Sequence, residues 1–258
     1  MTSYVPIDPS EVVEDVLNAS ELGVNMVHLH ARQPDTGEPD YRKEIYAEII
    51  HGIRKKNKIL VLTVSTSGRQ FSEFEKRSDV LDLHGELKPD LASLTLSSLN
   101  FNKVASINSP EMIQALARKM MAKNIRPELE VFDIGMINYA NYLIRKGLLT
   151  TPYYFNLILG NIACAQANML NLGLMIKELP QGAIWSVGGI GKYQLPMNVM
   201  AIIAGGGVRV GLEDNIWWDE DRTHLATNCE LVERVLRIAE EIGRKPYSQA
   251  EARSLLGV

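Results

Sequence analysis

Two histidines stand two residues apart in the segment VHLHAR, Val27–Arg32. Apolar and polar residues alternate there, which reads as a strand, and residues i and i+2 of a strand share a face. His28 and His30 would then lie about 6–7 Å apart at Cα, close enough for both imidazoles to reach one metal ion. Zinc takes neutral imidazole with a carboxylate, and in catalytic sites it leaves a position open for water or substrate. The same spacing also suits a hydrogen-bonded histidine pair on an ordinary strand. The other histidines, His51, His84 and His224, fall on a helix, in a loop and at a helix start, and are not read as ligands.

A carboxylate for such a site comes from the segment GGGVRVGLEDN, Gly205–Asn215. On a strand, Val208, Val210 and Leu212 would face one way and Arg209, Gly211 and Glu213 the other. Glu213 would complete a His2Glu set with an open position. Arg209 and Asp214 could form a charge-paired dyad with the aspartate as a base, or a salt bridge that does no chemistry. The three glycines precede the strand, the wrong end for a barrel phosphate site, so packing against a neighbouring helix is the simpler use of them. In VSTSG, hydroxyls and free N–H groups end a strand; Ser65, Ser67 and Gly68 could hold a carboxylate or form a plain polar turn. Alternation turns Thr95 of LASLTLSS and Glu130 of PELEVFD inward; Glu130 could meet a cationic group or an arginine.

The elements that would position these residues alternate along the chain. Seven strand candidates, MVHLHA, ILVLTVST, LASLTLSS, LEVFDI, YYFNLILG, AIWSVGG and GVRVGL, are separated by segments of helical periodicity. Asp8, Pro9 and Glu11 form a capping box with proline at the first helical position. Ser109–Pro110 and Ser248 with Glu251 are further helix starts, a long helix is expected over 224–242, and Gly147 is a helix stop. This order predicts a parallel sheet with helices outside: a (β/α)8 TIM barrel over 1–258 as a single domain, or an open doubly wound sheet. The first segment is a helix, however, and residues 1–7 are short and interrupted by proline. The first barrel strand is therefore expected to be absent or shortened, leaving its neighbours with unpaired edges.

Net charge is −4 with 46% hydrophobic and 22% charged residues, so no nucleic-acid or membrane-surface partner is indicated. No apolar run reaches about 18 residues, and the N-terminus is not a secretory signal. Cys164 and Cys229 form no CxxC motif, which fits a reducing cytoplasm.

VPIDPSEV, GVNMVHLHAR, STSG, LTLSSLNF, RPELEVFDIG and GGGVRVGLEDN together resemble the β-keto acid cleavage enzyme family, whose founding member is the 3-keto-5-aminohexanoate cleavage enzyme of lysine fermentation. The resemblance runs from about Val5 to the C-terminal EARSLLG. It implies a zinc-dependent barrel that condenses a β-keto acid with acetyl-CoA, giving acetoacetate and a new acyl-CoA. It also implies a homo-oligomer, of the tetrameric kind. His28, His30 and Glu213 are the implied zinc ligands and Asp214 the implied general base, partnered by Arg209. Ser65 and Thr95 correspond to substrate-binding hydroxyls, Ser67 and Gly68 to the carboxylate loop, and Glu130 to the contact with the substrate's amino end. No CoA-binding motif is identified. STSG departs from the two adjacent glycines common in the family, so Ser67 would crowd the loop. Two other readings stay open: a metal-dependent barrel aldolase or lyase that needs no CoA, and a catalytically impaired homologue.

Overall fold

The computed structural model describes residues 2–258. In chain order its elements are α1 (Pro9–Glu21), β1 (Met26–Leu29), β2 (Ala31–Arg32), β3 (Pro39–Asp40), α2 (Lys43–Lys56), β4 (Val61–Val64), α3 (Phe74–Ser78), β5 (Leu91–Thr95), β6 (Leu99–Asn100) and β7 (Ala105–Ser106). Then follow α4 (Pro110–Ala122), β8 (Arg126–Val131), α5 (Ile134–Arg145), β9 (Tyr154–Leu159), α6 (Met169–Glu178), β10 (Ile184–Gly189), α7 (Gln194–Ala204), β11 (Gly207–Val208), α8 (Asn228–Glu241) and α9 (Gln249–Leu256). None of the described helices is long and apolar enough to cross a membrane.

Seven strands form one parallel sheet in the order β1-β4-β5-β8-β9-β10-β11. Parallel neighbours need crossover connections, which put helices outside and curl the sheet. This is the TIM-barrel architecture short of one strand: β1 and β11 are edges, and residues 2–7 form no strand. The hairpins β2–β3 and β6–β7 extend the loops that follow β1 and β5.

Local chemistry sets most boundaries. Asp8 caps α1 with Glu11 reaching back, and Thr227 with Glu230 does the same for α8. That second box starts α8 at Asn228, four residues after the expected His224; the residues before it fold into a turn bridged between Trp217 and Leu225. β8 begins at Arg126, ahead of the expected LEVFDI; the N–H that Pro127 lacks falls below the first β8–β9 pair, Glu128 with Tyr154. β11 is shorter than GVRVGL because it has a neighbour on one side only. Its ladder continues through the Arg209 N–H to the Val187 carbonyl at 2.9 Å and then ends.

Alternation sorts the side chains into layers. Outward residues, among them Leu62, Leu94, Leu129, Phe155 and Val187, form the main core against the helices. Inside, Met26, Val61, Leu91, Tyr154 and Ile184 make an apolar floor that Leu256 of α9 plugs. Above the floor the interior is polar: Thr63, Ser93, Glu128, Asn156 and Ser186 are all buried. Barrel cores are usually filled with branched apolar residues, so this polar layer marks the end where chemistry is placed.

The glycine run behaves differently from the expectation. Gly205 ends α7 in the left-handed conformation at φ 85°. Gly206 packs beneath the Trp185 ring of β10 and not against a helix: a Cβ there would stand 1.9 Å from a ring carbon. Gly206→Ala should therefore destabilise the fold by about 1–3 kcal/mol through overpacking, read as a lower urea midpoint. Adding Trp185→Leu should recover part of the loss.

Candidate active site

The polar interior opens at the C-terminal ends of the strands, the end that carries the reactive loops in barrel enzymes. β1 delivers His28 into the middle layer and His30 one layer higher, just past the strand's end. Their ring centroids are 4.9 Å apart. His28 Nδ1 lies 2.6 Å from Glu128 Oε2. Asn156 donates to Glu128 Oε1 at 2.9 Å, and Ser186 in turn donates to Asn156 at 3.3 Å. This network ties one face of the His28 ring to β8 and fixes the ring's orientation. Burial alone pulls the His28 imidazole down, but the charge and hydrogen bond of Glu128 outweigh it and push the group up to about 9.

His30 Nε2 is 3.0 Å from Glu213 Oε1 yet is not aligned for a hydrogen bond, and this buried nitrogen has no other partner. One ligand atom each from His28, His30 and Glu213 lies within 4.8 Å of the others. Two imidazoles and a carboxylate that converge without bonding one another fit a divalent cation of zinc's preferences. His28, Glu128 and Glu130 meet the same spacing. In that set His28 Nδ1 and Glu128 Oε2 are already bonded to each other, whereas the rim set includes the unpartnered His30 Nε2, so the rim set is the better donor group.

Arg209, just beyond β11, organises the rim. Its Nε donates to Asp214 Oδ2 at 2.7 Å, its Nη2 to Glu213 Oε2 at 2.5 Å, and its Nη1 lies 3.9 Å from Glu130 Oε1. Burial would raise the Glu213 carboxyl, but His30 and Arg209 hold it well below the usual range. For Asp214 burial wins over Arg209, and the group is raised. Burial likewise raises Glu130, whose Oε2 accepts from Thr95 at 2.6 Å.

Ser65 and Ser67 line the same cavity, which encloses about 1020 Å³. Gly68 does not line it: the glycine packs against the Arg77 guanidinium and the Ile107 carbonyl, where a Cβ would stand 2.6 Å from each. Arg32 shares the parity of His28 and His30 but donates to the Gly37 carbonyl at 2.8 Å within the β2–β3 hairpin. The chain turns at His30, so strand parity no longer governs where Arg32 points. Glu128 is the site residue that the sequence reading missed. Its signal was present in PELEV, because Glu128 and Glu130 share a strand face across from the HxH pair. Arg69 was also missed; it stacks over Phe101 at 4.3 Å and reaches within 3.8 Å of Glu213, a contact between loops with no periodic trace.

Residues 1–258 match the family described as beta-keto acid cleavage enzyme. A 3-keto-5-aminohexanoate cleavage enzyme of Fusobacterium nucleatum is 34% identical over 98% of this chain and 91% of its own length. A 3-oxoadipate:acetyl-CoA acetyltransferase of Cupriavidus necator is 35% identical over 98% of this chain and 88% of its own length. A 3-dehydrocarnitine:acetyl-CoA trimethylamine transferase of Rhizobium meliloti is 31% identical over 99% and 90%. Among solved structures, ObcA in a ternary complex with a C4-CoA adduct and oxalate superposes with a TM-score of 0.86 at 21% identity, covering 100% of this chain and 68% of that one, a likeness of fold.

Glu128→Gln keeps the side chain's size but removes the charge behind His28. Outer carboxylates of this kind typically contribute about 10–100-fold to metal affinity. Competition with a chromophoric chelator should show a loss in that range with an unchanged far-UV spectrum.

Proposed function

The chain belongs to the β-keto acid cleavage enzyme family, and we propose that it exchanges acyl groups between a β-keto acid and acetyl-CoA in a zinc-dependent reaction. The convergence of His28, His30 and Glu213 beside the Arg209–Asp214 pair is the observation that carries this reading. The family relatives whose names specify acetyl-CoA transfer support the co-substrate.

The stoichiometry dictates the roles. The bond between the α-carbon and the keto carbon breaks. The α-carbon and its carboxylate leave with the acetyl group as acetoacetate, and the remaining acyl group ends on the CoA sulfur. To receive the acetyl group the α-carbon must first give up a proton, which is acidic because it lies between a ketone and a carboxylate. Asp214 is the base for that step: it is buried, held by Arg209 Nε, and adjacent to the donor set. Zinc held by His28, His30 and Glu213 would act as a Lewis acid that polarises the keto oxygen. Ser65 and Ser67 line the cavity with hydroxyls for the substrate carboxylate, with Gly68 shaping the loop behind them. Thr95 holds Glu130, the acidic group available to a substrate with an amino end.

The free thiols Cys164 and Cys229 support a reducing cytoplasm as the compartment. The exposed Ile162, Met169 and Leu170 support a subunit contact in a homo-oligomer.

A panel of β-keto acids assayed with acetyl-CoA and added zinc should yield acetoacetate and acyl-CoA in equal amounts. Turnover without acetyl-CoA would point instead to a CoA-independent aldolase or lyase. Asp214→Asn should lower kcat by about 10²–10⁴-fold with zinc content retained, and His28→Ala should lose the zinc itself.

A further inference from the structure

We propose that Gln194 and Asn198 of α7 are positioning residues for the acyl exchange. They fix the backbone of the Arg209–Asp214 turn from behind and so set where the Glu213 and Asp214 carboxylates enter the cavity. This rests on the roles given to those carboxylates above and goes beyond them.

The turn carries Arg209, Glu213 and Asp214, yet residues 209–214 belong to no strand or helix. Arg209 can gather its two carboxylates only while its own Cα keeps a fixed distance from theirs. A turn outside any regular element does not hold such a distance by itself, because each of its residues gives up backbone entropy to do so.

Bonds from α7 and its surroundings hold it instead. Asn198 Nδ2 donates to the Arg209 carbonyl at 2.8 Å and to the Val187 carbonyl of β10 at 3.2 Å. The Val187 carbonyl also accepts the Arg209 N–H at 2.9 Å, so one amide group straps Arg209 to β10. Gln194 lies one helical turn earlier on the same face, and its Nε2 donates to the Gly211 carbonyl at 2.8 Å. The Gly191 N–H ties the far end by donating to the Asp214 carbonyl at 2.7 Å, and the Leu212 N–H donates to Asn228 Oδ1 at 2.9 Å.

Neither amide is there for packing. Both are fully buried on a helix face otherwise made of Met197, Ala201 and Ile202. Gln194 Oε1 and Asn198 Oδ1 are buried with no hydrogen-bond partner among the described residues, a cost to stability that methionine or leucine would not incur. Nor does the turn need Gln194 to satisfy its backbone: the Gly211 carbonyl already accepts from the Asp214 and Asn215 N–H groups at 3.2 Å each. What the amides add is a fixed separation between helix and turn. Neutral donors suit the place, since a lysine or arginine there would compete with Arg209 for its carboxylates and an acid would repel them.

The near-isosteric variants Gln194→Met and Asn198→Leu test this in the full chain. A displaced turn misplaces base and metal ligand together. Each variant should therefore lower kcat per zinc-loaded site by about 10–100-fold, and KM should change less because Ser65 and Ser67 are untouched. Zinc affinity by chelator competition should fall by about tenfold. A further readout needs neither metal nor turnover. The Arg209 Nε–H donates to Asp214, and its NMR signal should be protected from solvent exchange in the unmodified chain. That protection should drop by about tenfold in both variants, the equivalent of roughly one hydrogen bond, while β9 amides keep theirs. Should a variant fail to fold, the unmodified chain still decides: the side-chain amide protons of Gln194 and Asn198 should exchange more slowly than those of the exposed Gln181. Folded variants with unchanged kcat and zinc affinity, kcat lost while the Nε–H stays protected, or Gln194 and Asn198 protons as fast as those of Gln181 would each overturn the proposal. An unmodified chain that turns over no β-keto acid would sink the acyl-exchange reading instead, and the Nε–H and zinc measurements would still decide whether the amides hold the turn.

Discussion

One guanidinium holds the rim of this protein together. Arg209 sits largely desolvated among Glu213, Asp214 and Glu130, and gathering that many charges at the cavity rim is tolerable only with pairing. The six-residue segment from Arg209 to Asp214 therefore folds back on itself, with Nε on one carboxylate and Nη2 on the other. The same geometry turns the remaining Glu213 oxygen toward His30. The orientation of Glu213 and Asp214 toward the cavity thus follows from a single residue placed just after the last strand.

The sheet supplies what Arg209 cannot. Alternation sends apolar residues to the helix layer and leaves the interior to whichever residues occupy the other parity. At the base these are apolar and sealed by Leu256; above it they are polar and bonded to one another. His28 and Glu128 lie on strands far apart in sequence but within one interior layer, so a short bond between them can fix the imidazole.

Stability and function share these features without coinciding. Glycine at 206 admits the Trp185 ring, and Gly68 admits Arg77; both build the scaffold. Arg77 itself donates to the Thr66 and Ile107 carbonyls and to Asn108, and so pins the loop that presents Ser65 and Ser67. A polar loop at a strand end can thus be rigid, with part of its sequence facing structure and part facing the cavity.

The sequence alone determined what depends on local periodicity and capping. Helix starts at Asp8, Ser109 and Ser248, the seven strands, and the inward parity of His28, Thr95, Glu130 and Arg209 are all legible, because a period of two or a capping box is written within a few residues. The pairing of His28, His30 and Glu213 was also anticipated, by parity joined to family resemblance. Tertiary structure decided the rest. Glu128 became the partner of His28 because β1 and β8 meet across the interior, a separation of 100 residues that no local pattern encodes. Gly68 turned from the cavity and Arg32 bonded the Gly37 carbonyl because the chain bends where the strands end, and parity lapses with the ladder that enforces it. Gly206 faces a tryptophan, β11 is short, and two edges are open for one reason: each depends on which neighbour is present, and neighbours are chosen by the whole fold.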